Sequence, residues 1–105
     1  MRNASEYDVY LPLTYNDGSA IEPDKIARLK QHLTDQFGGL TFFPQRNEGT
    51  WKIGRTSFRD DIVIVRVLSE EVRESREFFR RLKEELRTEL NQQHVLIVER
   101  KVEIL

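Results

Sequence analysis

The chain has no cysteine, one methionine and one tryptophan, and only two histidines among its 105 residues. Without cysteine there are no disulfides, no thiol nucleophile and no thiolate metal site, and the composition fits a reducing compartment such as the cytoplasm. The two histidines, His32 and His94, do not share a His-x-x-x-His or Glu-x-x-His spacing. No metal site is therefore expected, and no cofactor motif is present. Glycine is scarce as well. Of five glycines, Gly38 and Gly39 adjoin each other, and none forms the run before a helix that cradles phosphate. No apolar stretch approaches the roughly 18 residues of a membrane span, and MRNASEYDVY lacks the apolar core of a signal peptide. The net charge of −1 creates no overall field towards nucleic acid or an anionic membrane.

What is present is a folded pattern. Hydrophobic residues make up 38% and charged residues 33%, enough for one modest core under a charged surface. At this length the chain forms a single domain, residues 1–105. Met1 to Glu6 are polar and expected to fray. From Tyr7 the apolar residues alternate, with Tyr7, Val9, Leu11, Leu13 and Tyr15 on one face and Asp8, Tyr10, Pro12 and Thr14 on the other. That spacing predicts a half-buried strand, closed by the turn residues Asn16-Asp17-Gly18. Pro23 suits the first position of a helix, whose stripe is Ile26, Leu29, Leu33 and Phe37. Gly38-Gly39 supplies its left-handed stop.

Leu40 to Phe43 read as a short strand ended or placed at an edge by Pro44. Arg46 to Thr50 read as a turn around Gly49, with Trp51 to Ile53 a return segment or fifth strand. Asp61 to Leu68 contains four consecutive β-branched residues, Ile62 to Val65, and predicts a central strand with apolar contacts on both faces. Ser69 is the expected cap of a second helix with Val72, Phe79, Leu82, Leu86 and Leu90 as its stripe and Phe78 beside it. His94 to Val98 begin a last strand, with a bulge at Glu99-Arg100-Lys101. The order βαββαβ is that of the α+β ferredoxin-like sandwich, a four-stranded antiparallel sheet with two helices on one face.

Three short segments carry a resemblance. Gly39-Leu40-Thr41, Gly49-Thr50-Trp51 and Gln93-His94-Val95 resemble the Gly-Leu-Thr, Gly-x-Trp and Gln-x-Ser-Val progression of a small bacterial family of ferredoxin-like domains, over residues 7 to 98. His94 departs from that pattern. The resemblance implies the fold and carries no activity, because the family's own function is not established.

Two features bear on function. Arg46, Lys52, Arg55 and Arg59 against Glu48 give residues 46–59 a net charge of +3 inside a slightly acidic chain. With Trp51 and Phe58 interleaved, this segment is a candidate lip for a small anionic ligand. The bland alternative pairs those charges with Asp60, Asp61 or the acidic helix and keeps a sheet edge soluble. The second feature is the two-sided apolar strand. With helices on one face, half of Ile62 to Val65 must lie on the other, which favours a homodimer through the open sheet face. The leading functional reading is thus a homodimeric binding module for a partner protein or a small anionic ligand. An alternative is a cofactor-independent enzyme with a pocket between sheet and helices, His94 as general acid or base, Trp51 and Tyr10 as walls and Arg55 holding a carboxylate. RNA binding is the weaker reading, since the third strand, DDIVIVRVL, lacks the basic and aromatic signature of such sheets.

Overall fold

The computed structural model describes all of Met1–Leu105. Strand β1 (Arg2–Pro12) takes the predicted alternation, and Tyr7, Val9 and Leu11 are buried. It starts earlier than its polar sequence suggests. Met1–Glu6 was expected to fray, but Arg2 to Glu6 pair with the last strand, and Ala4 and Ser5 are buried. The backbone ladder to that partner satisfies the peptide groups whatever the side chains' polarity. Pro12 closes the strand, where its missing N–H costs no ladder bond. The strand therefore does not reach Tyr15, and only Thr14 makes an isolated bridge, to Ala20.

Helix α1 (Pro23–Phe37) begins on proline and ends on Gly38, whose φ of 84° is left-handed and whose N–H bonds the Thr34 carbonyl at 2.8 Å. Leu29 and Leu33 form its buried stripe. Helix α2 (Val72–Glu89) starts three residues beyond Ser69. Ser69 does not cap it directly. Its hydroxyl accepts the Glu71 N–H at 3.2 Å and bonds the Ser75 hydroxyl, organising the turn before the helix. Phe79 of α2 stacks on Tyr7 at 4.2 Å between ring centroids and on Phe37 at 5.3 Å, so one aromatic ring joins β1 to both helices.

The other strands are β2 (Thr41–Ile53), β3 (Thr56–Ser69) and β4 (Leu96–Ile104). They form one antiparallel sheet in the order β2-β3-β1-β4. This is the ferredoxin-like fold, with β1 and β3 central as expected. Tyr7, Val9 and Leu11 oppose Val67, Val65 and Val63 and share one hydrophobic cluster with Leu29, Leu33, Phe79, Leu82 and Leu86, so both helices cover the same sheet face.

Two local expectations change. β4 runs in unbroken register from Leu96 to Ile104, without a bulge at Glu99-Arg100-Lys101. The irregularity lies in β2, where the register shifts between Phe43 and Asn47. Pro44 falls in that interruption, on the sheet's edge, where a missing donor is tolerated. The strand then continues through Gly49 and Trp51, so Arg46 to Thr50 is not a turn and Trp51 belongs to β2 rather than to a fifth strand. The turn is Gly54-Arg55, with Gly54 at φ 62°. Because β1 stops at Pro12, opposite Ile62, the ends of β2 and β3 extend past the sheet as a two-stranded arm. No helix is long and apolar enough to cross a membrane.

Candidate functional site

The hydrophobic core lies between sheet and helices, with a concavity of about 230 Å³ beside α2, lined by Tyr7, Phe79 and Ile97. The largest concavity, about 630 Å³, lies instead on the opposite sheet face, at the root of the arm. His94 and Trp51 line this groove and not the smaller concavity between sheet and α2. The groove arises from register. Opposed residues of antiparallel strands share a face, so Tyr10, paired with Ile64 and Leu96, and Pro12, paired with Ile62, form its floor. The same alternation brings Asn47, Gly49, Trp51 and Ile53 of β2 to that face, with Phe58 and Asp60 opposite on β3.

Trp51 is the wall. It is 40% exposed and stacks against Phe58 with ring centroids 6.4 Å apart and planes 21° from parallel. Its ring lies beside Gly49, two residues back on the same face, where an added methyl would stand 3.5 Å from it. His94, exposed in the loop before β4, lines the opposite rim with Gln92.

Charge is distributed otherwise than the segment's total suggests. Trp51 and His94 line the groove, whereas Arg46, Lys52, Arg55 and Arg59 do not. The reason is the period of two. With Trp51 and Phe58 on the groove face, their neighbours Lys52 and Arg59 fall on the other. Arg55 sits in the turn. Arg59 pairs with Glu48 at 3.0 Å, and Arg46 lies 3.9 Å from Asp61. Asp60 is the carboxylate on the groove face; Glu48 adjoins the groove, but its carboxylate is turned to Arg59 on the other face. Burial, and secondarily the neighbouring Asp61 carboxylate, push the Asp60 carboxyl above the ordinary range. In the sequence, Asp60 reads only as a partner for the basic residues and not as part of a binding site. The signal was there in the alternation from Phe58 to Ile64.

The far half of this sheet face is polar and internally neutral. Asp8, 2% exposed, accepts two hydrogen bonds from Arg66, at 2.8 and 3.0 Å, and one from Arg100 at 2.9 Å. Glu6 contacts the same two guanidinium groups at 3.1 and 3.2 Å. The Arg66 hydrogen bonds hold the Asp8 carboxyl below its ordinary range, against the opposing effect of burial. Arg66 also lies over Phe43, 4.9 Å from the ring centroid. This quartet stands between the groove and Leu68 at the other end of the open face. No three His, Asp or Glu side chains stand together in a way that could hold a metal ion.

No protein-family model matches the chain, and no curated protein does. Among solved structures, the chain is similar to a phage SAM lyase in complex with S-methyl-5'-thioadenosine, with a TM-score of 0.69 and 15% identity over 95% of this chain and 82% of that one. At that identity the likeness is one of fold.

Proposed function

We propose that the chain is a binding domain and that the groove on its open sheet face receives a small planar ligand. The observation that carries this is Trp51. A large aromatic ring left 40% exposed, braced by Phe58 above a floor of Tyr10, Ile62, Ile64 and Leu96, is a ready stacking surface. The arginines proposed from the sequence to hold an anion stand off the groove, so an anionic ligand loses its support. His94 lines the rim without a side-chain hydrogen bond to orient it, so the groove is read as a binding site rather than a site of acid–base chemistry.

S-methyl-5'-thioadenosine, bound in the structural neighbour, is a suitable first probe because it offers a flat heterocycle. Titrated into the protein, it is expected to shift the Trp51 indole and His94 resonances together, and the His94 shift should be lost in Trp51→Ala. Unmoved groove resonances with this probe and with quinoline would sink the reading.

A second reading, pairing of two copies through the open sheet face, is favoured by Leu68 and Leu96. Both are about half exposed on that face. The Glu6–Asp8–Arg66–Arg100 quartet, already neutralised within one chain, would enter such an interface without leaving a charge unpaired. Sedimentation at micromolar concentration decides it: a dimer that Leu96→Asp dissociates supports the pairing, and a monomeric wild type rejects it.

A further inference from the structure

We infer that the groove selects a positively charged ligand, an organic monocation on a flat apolar frame, and that the Asp60 carboxylate is the group that meets the charge. The inference rests on the groove being a ligand site and adds the ligand's chemical class. It starts from what each acidic side chain near the arm already has. Glu48 has Arg59 at 3.0 Å, and Asp61 has Arg46 at 3.9 Å. Asp60 is half-buried in the groove wall with neither an ion pair nor a side-chain hydrogen bond.

A carboxylate drawn out of water without a partner is costly, and a cation beside it removes that cost. No cation of the chain itself is placed to do so. Lys52 and Arg59 occupy the opposite face of the arm, Arg55 sits in its turn and Arg46 is directed to Asp61. The aromatic rings act in the same sense, since the faces of Trp51 and Tyr10 attract a cation and leave an anion unfavoured. Burial and Asp61 raise the Asp60 carboxyl above its ordinary range, the response of a site whose counter-charge is missing.

The test uses three probes on one ring frame: N-methylquinolinium as cation, quinoline as neutral isostere and quinoline-2-carboxylate as anion. Affinities are measured calorimetrically at pH 8 on the full chain, with the Trp51 indole resonance followed in parallel. The cation is expected to bind about tenfold more tightly than quinoline, and the anion more weakly than either. Asp60→Asn, an isosteric change, should bring the affinities of cation and neutral probe to within about twofold of each other. Glu48→Gln and His94→Gln should keep the cation preference. Thermal melts of each variant separate a binding loss from unfolding.

Equal binding of quinoline and N-methylquinolinium by the wild type would overturn the charge selection and leave the groove reading standing. A cation preference that survives Asp60→Asn would overturn the role of Asp60. Failure of all three probes, with Trp51 unmoved, would overturn the groove reading itself and this inference with it.

Discussion

Replacing Asp8 with alanine perturbs the one carboxylate that is buried in the sheet and shared between two arginines. The change removes three charge-assisted hydrogen bonds, two from Arg66 and one from Arg100. Breaking a fully buried ion pair costs about 3–5 kcal/mol. Here the arginine side chains are 36% and 46% exposed and keep Glu6 as a partner, so water and Glu6 recover part of the loss. The expected cost is about 2–3 kcal/mol, a drop in melting temperature of roughly 10–15 °C for a domain of this size. Urea titrations of the wild type, Asp8→Ala, Arg66→Gln and the double variant measure it, with a coupling of about 1.5 kcal/mol between the two sites.

The pH dependence provides an independent check. Because the folded-state carboxyl is held below its unfolded value, its contribution is complete above the ordinary carboxylate range, about pH 4. It is lost as pH falls through the depressed folded value. The gap between wild type and Asp8→Ala should therefore be constant from pH 8 to pH 5 and close in stronger acid. A variant within 0.5 kcal/mol of the wild type at pH 7, on the scale of ordinary surface substitutions, or a gap that does not close in acid, would refute the argument.

Asp60 should behave in the opposite way. Its folded-state carboxyl lies above the unfolded value, so its stabilising contribution is complete below the ordinary carboxylate range and is lost as pH rises through the folded value. Asp60→Asn should accordingly melt higher than the wild type at pH 7 and level with it near pH 3; a lower melting temperature at pH 7 would contradict the burial argument. At the end of α1, Gly38→Ala should cost about 1 kcal/mol, because a left-handed φ of 84° strains an L residue although nothing crowds the position. Gly39→Ala, which has neither a positive φ nor a close neighbour, serves as its control in the same urea titration and should change stability little.

The elements that were readable from the sequence are those whose cause is local. Alternation at Tyr7, Val9 and Leu11, the proline at the start of α1 and the glycine at its end each express a constraint within a few residues, and the structure follows them. The misread elements depend on partners far along the chain. Arg2 to Glu6 become strand because β4, about a hundred residues later, pairs with them. Pro44 and Gly49 resemble turn residues, yet on an edge strand a proline can occupy an interruption of the ladder and a glycine can leave room for Trp51. The burial of Asp8 needs arginines 58 and 92 positions away. The error over the basic segment has another cause. Summing charge over residues 46–59 treats a strand as if both faces were one surface, and the sum of +3 conceals a groove face that carries the Asp60 carboxylate and none of the four cations. Counted by face, the same sequence sets Trp51 and Phe58 against Lys52 and Arg59, and it leaves Asp60 on the aromatic side. In a two-stranded arm, then, it is the parity of a charged residue relative to its aromatic neighbours that decides which ligand it can meet.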